Sequence, residues 1–258
     1  MTTGSSRGAR AVALVLGAYR DLVRLVVPVA CAGCGQADVP WCTRCDVWLR
    51  GPAVRREHGA GRLDHLDGRT PLPVRAPALY AGPVRHALTA WKDGGRVDLD
   101  RPLGAAARRA GTATAGDLRP ALRHDAPPVL VVPVPSTAQA RRRRGRSPVE
   151  ALATRVVAGL RDAGVPAVGS RALHRSGGAD LAGLGARARG AALAGRVAVR
   201  RRAVVRDREV VLVDDVLTTG ATLASCHDAL VAAGARVLGA CVVAATAPPG
   251  GGPAGPAG

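Results

Sequence analysis

The chain has 258 residues and a formal net charge of +18, from 37 Lys plus Arg against 19 Asp plus Glu. That length suits one large domain or a main domain with a small attachment. With 47% hydrophobic and 22% charged residues it sits among globular proteins, which excludes wholesale disorder, and no Gly or heptad period supports collagen or a coiled coil. Aromatic residues are 2% with no Phe, so the core is expected from Val, Leu and Ala, and modules that stack bases on aromatic faces are poorly supported.

In chain order, residues 1–10 are small and polar and are expected to be disordered, as is the Pro/Gly tail 247–258. An N-terminal helix with a Cys-rich module is expected over 11–75. Val12, Val15, Tyr19, Leu22 and Val26 recur at steps of three and four and give the helix an apolar face. No apolar run approaches the roughly 18 to 20 residues of a membrane span. Arg7 and Arg10 precede an apolar stretch, yet no clean cleavage site follows it, so a cytoplasmic protein is expected.

Cys31, Cys34, Cys42 and Cys45 form two CxxC pairs seven residues apart. Each CxxC turn presents two thiolates on one side, and two such turns supply the four sulfurs of a tetrahedral zinc site. A disulfide pair or a redox CxxC are the alternatives, but a redox motif needs only one pair beside a βαβ unit. Four Cys ligands leave no open position, so the zinc expected here is structural. Cys226 and Cys241 lie on apolar faces of a predicted helix and strand and are expected to be buried.

A helical connector is expected over 76–126. Pro83 opens a short helix to Lys92 with Val84, Ala87, Leu88 and Trp91 on one face, and Asp100 with Pro102 opens another that ends at Gly111. From 127 to 246 the pattern changes to apolar runs separated by helices: 129–134, 210–213 and 237–245. That is the signature of an α/β fold with a parallel sheet covered on both faces. The helix after the first strand is expected to start at a capping box of Ser147 and Glu150 with Pro148 first, and the helix after 210–213 carries Leu223, Cys226 and Leu230 on one face.

Residues 210–222 read VVLVDDVLTTGAT: a buried strand, two carboxylates at its C-terminal end, and a Thr/Gly loop opening a helix. In open parallel sheets ligands bind beyond the carboxyl ends of the strands. Free N–H groups, hydroxyls and a helix N-terminus together grip a phosphate. Carboxylates beside that phosphate suit vicinal sugar hydroxyls.

These thirteen residues resemble the phosphoribosyl-pyrophosphate (PRPP) motif of type I phosphoribosyltransferases. The resemblance implies that Asp214 and Asp215 hold the ribose hydroxyls. It implies also that Thr218, Thr219, Gly220 and Thr222, with the backbone of Leu217 and Ala221, hold the 5′-phosphate, and that Mg²⁺ accompanies PRPP. The four-Cys module, YAGPVRHALTAWK (80–92), VVPVPST (131–137), RRRRGRSP (141–148) and this motif together resemble the competence protein F (ComF) family over almost the whole chain. Lys92, the chain's one lysine, falls at the lysine of that family's central motif. Arg146 and Ser147 stand where members read Phe and Asn, and Leu181 and Ala192 where Gln and Asn are common. By order, 175–193 corresponds to the loop that closes over pyrophosphate, with Arg175, Arg187 and Arg189 as its contacts.

Two functions are therefore expected as alternatives. One is transfer of a 5-phosphoribosyl group from PRPP or a related phosphorylated ribose to an acceptor. Thr218 stands where relatives acting on 6-oxopurines carry an Asp base, which argues against such acceptors. The other is a non-catalytic DNA-uptake accessory that engages single-stranded DNA or a helicase partner through the zinc module and basic surface.

Overall fold

The computed structural model describes residues 29–61, 63, 72–137, 142, 145–175 and 197–247. The helix expected near the N-terminus, Arg141, Arg143 and Arg144 of the 141–146 run, the stretch bearing Leu181, Arg187, Arg189 and Ala192, and the tail from 248 lie outside these residues.

Along the chain the elements are α1 (Thr43–Asp46), β1 (Val54–Arg55), β2 (Val74–Ala76), β3 (Ala78–Leu79), α2 (Gly82–Lys92), α3 (Asp100–Leu118) and β4 (Val129–Pro133). They continue with α4 (Pro148–Asp162), β5 (Ala167–Gly169), β6 (Leu173–Arg175), β7 (Val197–Val199), β8 (Glu209–Val213), β9 (Val216–Leu217), α5 (Ala221–Ala232), β10 (Arg236–Cys241) and β11 (Ala244–Ala245). The main sheet has the order β1-β2-β10-β8-β4-β5, parallel throughout except for β1 against β2. The expected α/β class with a mainly parallel sheet is thus the fold. A small parallel sheet, β3-β11-β9, and the antiparallel pair β6-β7 complete the strands.

Period-two burial splits each central strand between two cores. Val129 and Val131 of β4 and Val211 and Val213 of β8 face α3 and α4, whereas Leu130, Val132, Val210 and Leu212 face Leu223, Cys226 and Leu230 of α5. The chain leaves β4 through α4 towards β5 on one face, and leaves β8 through α5 towards β10 on the other. The connections therefore diverge between β4 and β8, and the crevice at their carboxyl ends is where an open parallel sheet places a ligand.

Three details differ from the sequence expectations. Helix α3 runs through Gly111 to Leu118, because Gly111 packs against α4, where a Cβ would lie 2.5 Å from the Val156 carbonyl oxygen. Tertiary contact here overrides the helix-ending tendency of glycine. Ser147 precedes α4 with extended backbone but makes no side-chain cap, and Glu150 pairs with Arg171 instead. The main sheet also takes in β2, upstream of residue 127. Arg75 of β2 donates two 2.7 Å hydrogen bonds to the Asp117 carboxylate, pinning this strand to α3. Bidentate pairing of this kind is among the stronger surface contacts, and it holds the Asp117 carboxyl below the usual carboxylate range.

Candidate functional site

The last residues of β4 and β8 lie side by side, Pro133 opposite Val213, and the Val134 N–H donates to the Val213 carbonyl at 2.8 Å. The segments that follow, Val134–Thr137 and Asp214–Thr222, therefore emerge at one edge of the sheet. A cavity of about 210 Å³ opens between them, walled by Val134–Thr137, Pro148 and Val149 at the start of α4, Arg175, Asp214, Asp215 and Thr222. Arg175 reaches the rim by donating from Nε to the Pro135 carbonyl at 3.0 Å. A second cavity of about 370 Å³ lies on the other side of the acid pair, lined by Tyr80, Leu88, Thr89 and Asp93 together with Val216 and Thr218. Lys92, Asp214, Asp215 and Thr222 line both. A third, small notch of about 30 Å³ is enclosed by Asp214 and Val216–Leu223.

The structure thus brings Asp214, Leu217, Thr218, Thr219, Gly220, Ala221 and Thr222 around one notch, with Asp215 on the walls of the two larger cavities beside it. Gly220 starts α5 with φ +79°, the left-handed region that favours glycine. A Cβ there would also meet Leu63 Cγ at 2.6 Å. No side chain caps α5, so first-turn N–H groups point outward at the positive end of the helix dipole. Thr218 and Thr219 are exposed, and Ala221 N–H reaches Thr219 Oγ1 at 3.4 Å.

The two acids differ in their surroundings. Asp215 is buried, and its Oδ1 accepts the Val216 N–H at 3.1 Å. Its Oδ2 has the Lys92 ammonium 2.6 Å away but no aligned hydrogen-bond donor, so that contact is ionic. Asp214 Oδ1 accepts the Asp215 N–H at 2.9 Å. Burial first and the neighbouring Asp215 charge second push the Asp214 carboxyl well above the usual carboxylate range, with Lys92 pulling the other way.

Lys92 is the last residue of α2, and its placement is fixed by its neighbour. Trp91 is buried and donates from Nε1 to Asp100 Oδ1 at 2.5 Å. Arg146 lies 5.4 Å over the Trp91 ring and donates from Nη1 to both Asp100 oxygens, at 2.6 and 2.8 Å. Arg146 thus places its charge over the ring and beside the Asp100 carboxylate. The lysine was visible in the sequence as a lone residue type. Its pairing with Asp215 was not, because 123 positions separate the two.

The four cysteines also converge. Cys31, Cys34, Cys42 and Cys45 present sulfurs within 4.8 Å of one another, with Cys34 and Cys42 sulfurs 3.6 Å apart. Tetrahedral Zn–S bonds of about 2.3 Å place sulfurs about 3.8 Å apart, so the cluster fits a metal. The Cys42 N–H points at Cys31 Sγ from 3.4 Å, and a Cβ on Gly33 would lie 2.8 Å from Cys45 Sγ. The Gln36 N–H first, and Arg44 second, bring the Cys34 thiol down to about 6, whereas burial pushes Cys45 up. The module is joined to the rest through His86 Nδ1, 3.0 Å from the Gly33 carbonyl oxygen.

An open parallel α/β fold, with a crevice between diverging crossovers and an acid pair beside a Thr/Gly helix start, defines the class of the sheet domain. Residues 137–252 match the family model described as phosphoribosyl transferase domain, and the domain is of the phosphoribosyltransferase type. Among solved structures, hypoxanthine phosphoribosyl transferase of Trypanosoma cruzi aligns at 17% identity and TM-score 0.37 over 55% of this chain and 64% of that one, so the chain spans under two thirds of that relative. Hypoxanthine-guanine phosphoribosyl transferase of Leishmania donovani aligns at 19% and 0.36 over 55% and 67%. The Leishmania tarentolae enzyme, in complex with GMP, aligns at 17% and 0.35 over 55% and 65%. No curated protein matches the chain. Among the described residues no helix is long and apolar enough to cross a membrane.

Proposed function

We propose that the chain is a ComF-like protein that binds PRPP and transfers its 5-phosphoribosyl group to an acceptor other than a 6-oxopurine. The observation that carries this reading is the convergence of Asp214 and the Leu217–Thr222 loop on one notch, with Asp215 lining the two cavities beside it, at the carboxyl ends of β4 and β8. In this reading Thr218, Thr219, Gly220, Ala221 and Thr222 hold the 5′-phosphate with hydroxyls and backbone N–H groups, and the acid pair accepts the ribose hydroxyls. The sugar then lies where the two larger cavities meet. The cavity bearing Arg175, Ser136 and Thr137 suits the pyrophosphate, and the one bearing Tyr80, Leu88 and Thr89 suits the acceptor.

Charge develops on the ribose carbon and the departing pyrophosphate, so carboxylates beside the sugar and cations beside the leaving group act on the transition state. Asp214 and Asp215 offer the hard oxygen donors that Mg²⁺ accepts, and bound Mg²⁺ would supply neutralisation of the pyrophosphate charge. Thr218 has no basic group, so the acceptor must be a nucleophile that needs no carboxylate base at that position. The four cysteines would hold one structural Zn²⁺ that folds residues 30–50. A pyrophosphate-release assay over a panel of nucleobases and amines tests the activity, and no release with any acceptor in a protein that binds PRPP would reject transfer.

The net charge of +18 favours one second reading, that of a DNA-uptake accessory contacting single-stranded DNA or a helicase in the cytoplasm. Salt-dependent DNA binding that survives Asp215→Asn would support it.

A further inference from the structure

The sheet-edge cleft contains two carboxylates where a polyanion has to dock, and this raises the question of what offsets them. Lys92 and Arg175 are the cations that line it among the described residues. Arg175 sits at the rim against the Pro135 carbonyl. Lys92 is different, because it comes from α2, outside the β4–β11 segment, and stands at the wall shared by both larger cavities.

Two observations say that this ammonium is more than a helix-end solubiliser. It lies 2.6 Å from an oxygen of a carboxylate whose side chain is 4% exposed, while its own side chain keeps 41% of its surface open to the cleft. The buried carboxylate needs a counter-charge, but the open end of the pair lets the ammonium reach a second anion in the cleft. The chain otherwise uses arginine for every basic position but this one. The ammonium meets Oδ2 as a compact point charge on a flexible four-carbon stem, which a planar guanidinium does not replace atom for atom.

Oδ2 is also covered in this state: it is buried and receives no aligned hydrogen bond. A sugar hydroxyl can donate to that oxygen only if the ammonium gives way, and an ammonium that gives way within the cleft needs another anion. We propose that Lys92 is a substrate-contacting residue with two positions: on Asp215 in the free protein, and on the pyrophosphate of the bound phosphoribosyl donor once a ribose hydroxyl has taken its place on Oδ2. The proposal rests on the PRPP reading given above and adds to it a residue from outside the phosphoribosyltransferase segment. The rigid mounting of Trp91 by Asp100 and Arg146 keeps the stem in place while the four-carbon chain swings.

The test compares two probes by calorimetry on the full chain: PRPP with Mg²⁺, and ribose 5-phosphate, which has the sugar hydroxyls and 5′-phosphate but no pyrophosphate. Lys92→Met should lose at least tenfold more affinity for PRPP than for ribose 5-phosphate. Equal losses for both probes would overturn the proposal, leaving Lys92 as a prop for Asp215, and so would no loss for either. Wild type that binds neither probe would remove the PRPP reading itself and the inference with it. A second measurement needs no substitution. Since the chain has one lysine, reductive ¹³C-methylation gives one lysine side-chain resonance apart from the N-terminal amine, and PRPP should move it much further than ribose 5-phosphate does. An unmoved resonance in a sample that binds PRPP would overturn the proposal.

Discussion

Asp214 and Asp215 are adjacent in sequence yet stand in opposite electrostatic situations, and each yields a prediction. Asp215 is neutralised by Lys92. In the PRPP complex proposed above it faces sugar hydroxyls, and a hydrogen bond to a charged group is worth roughly 1.5 to 3 kcal/mol, so Asp215→Asn should weaken PRPP binding about tenfold to a hundredfold by calorimetry. Asparagine keeps an oxygen for the Val216 N–H, so the loop should persist. Asp214 has a carboxyl raised by burial and by Asp215. A raised folded-state value means the stability contribution is full below the unfolded value of about 4 and is lost as pH rises through the folded value. Asp214 therefore costs stability at neutral pH relative to acid pH. Asp214→Asn should raise the melting temperature at pH 7 while weakening ligand binding, and the gain should shrink as pH falls towards 4. A gain that grows on acidification would contradict this. The identities of these residues could be read from the motif, but the asymmetry between them could not, since it comes from a helix end far away in sequence.

The elements were legible where pattern is local and hidden where contact decides. The apolar face of α2 (Val84, Ala87, Leu88, Trp91) and that of α5 (Leu223, Cys226, Leu230) follow directly from the 3.6-residue period. The central strands β4 and β8 stood out as short continuous apolar runs. Strands β1 to β3 have two or three residues each and no period to detect; β2 is held where Arg75 and the Val74 N–H find Asp117 and the buried Glu57, and β3 where it pairs with β11. Helix α3 was cut short at Gly111 because a glycine that ends a helix and one that lets two helices touch look the same in sequence. The same contact has a counterpart in Gly159 of α4, where a Cβ would collide with the Arg108 carbonyl oxygen. Backbone cannot yield as a side-chain tip does. Gly159→Ala should therefore destabilise by about 1 to 3 kcal/mol, read as a lower urea midpoint, despite alanine's better helix propensity. The cysteine module is the other unit whose stability depends on something outside its own core. Its buried apolar residues are few, and structural zinc contributes on the order of 10 to 16 kcal/mol in small modules. A chelator should unfold residues 30–50 with the sheet left standing, as read by hydrogen exchange, and one zinc per chain should be found by elemental analysis. Metal-free protein with an ordered module, or a disulfide among the four cysteines, would refute this.

At the scale of the molecule, the excess positive charge matters less than where charge is placed. The cleft balances two acids against Lys92 and Arg175, so it offers little net attraction to a ligand carrying several negative charges. The notch at the start of α5 offers N–H groups and hydroxyls but no cation. Tight binding of PRPP therefore calls for added positive charge on the pyrophosphate, which is the place for Mg²⁺. The prediction is that PRPP binds in a Mg²⁺-dependent way whether or not turnover follows. The acid pair and the Leu217–Thr222 loop are assembled at one sheet edge, whereas the residues at which the resemblance to the ComF family departs, Arg146, Ser147, Leu181 and Ala192, lie outside these groups. Binding should then outlast catalysis. Calorimetry with millimolar PRPP should give heat with Mg²⁺ and much less with a chelator present, while ribose 5-phosphate, lacking the pyrophosphate, should show no such dependence. Absence of heat in folded wild type with Mg²⁺ would mean that the notch is a relic of the fold, and the DNA-uptake reading would take precedence.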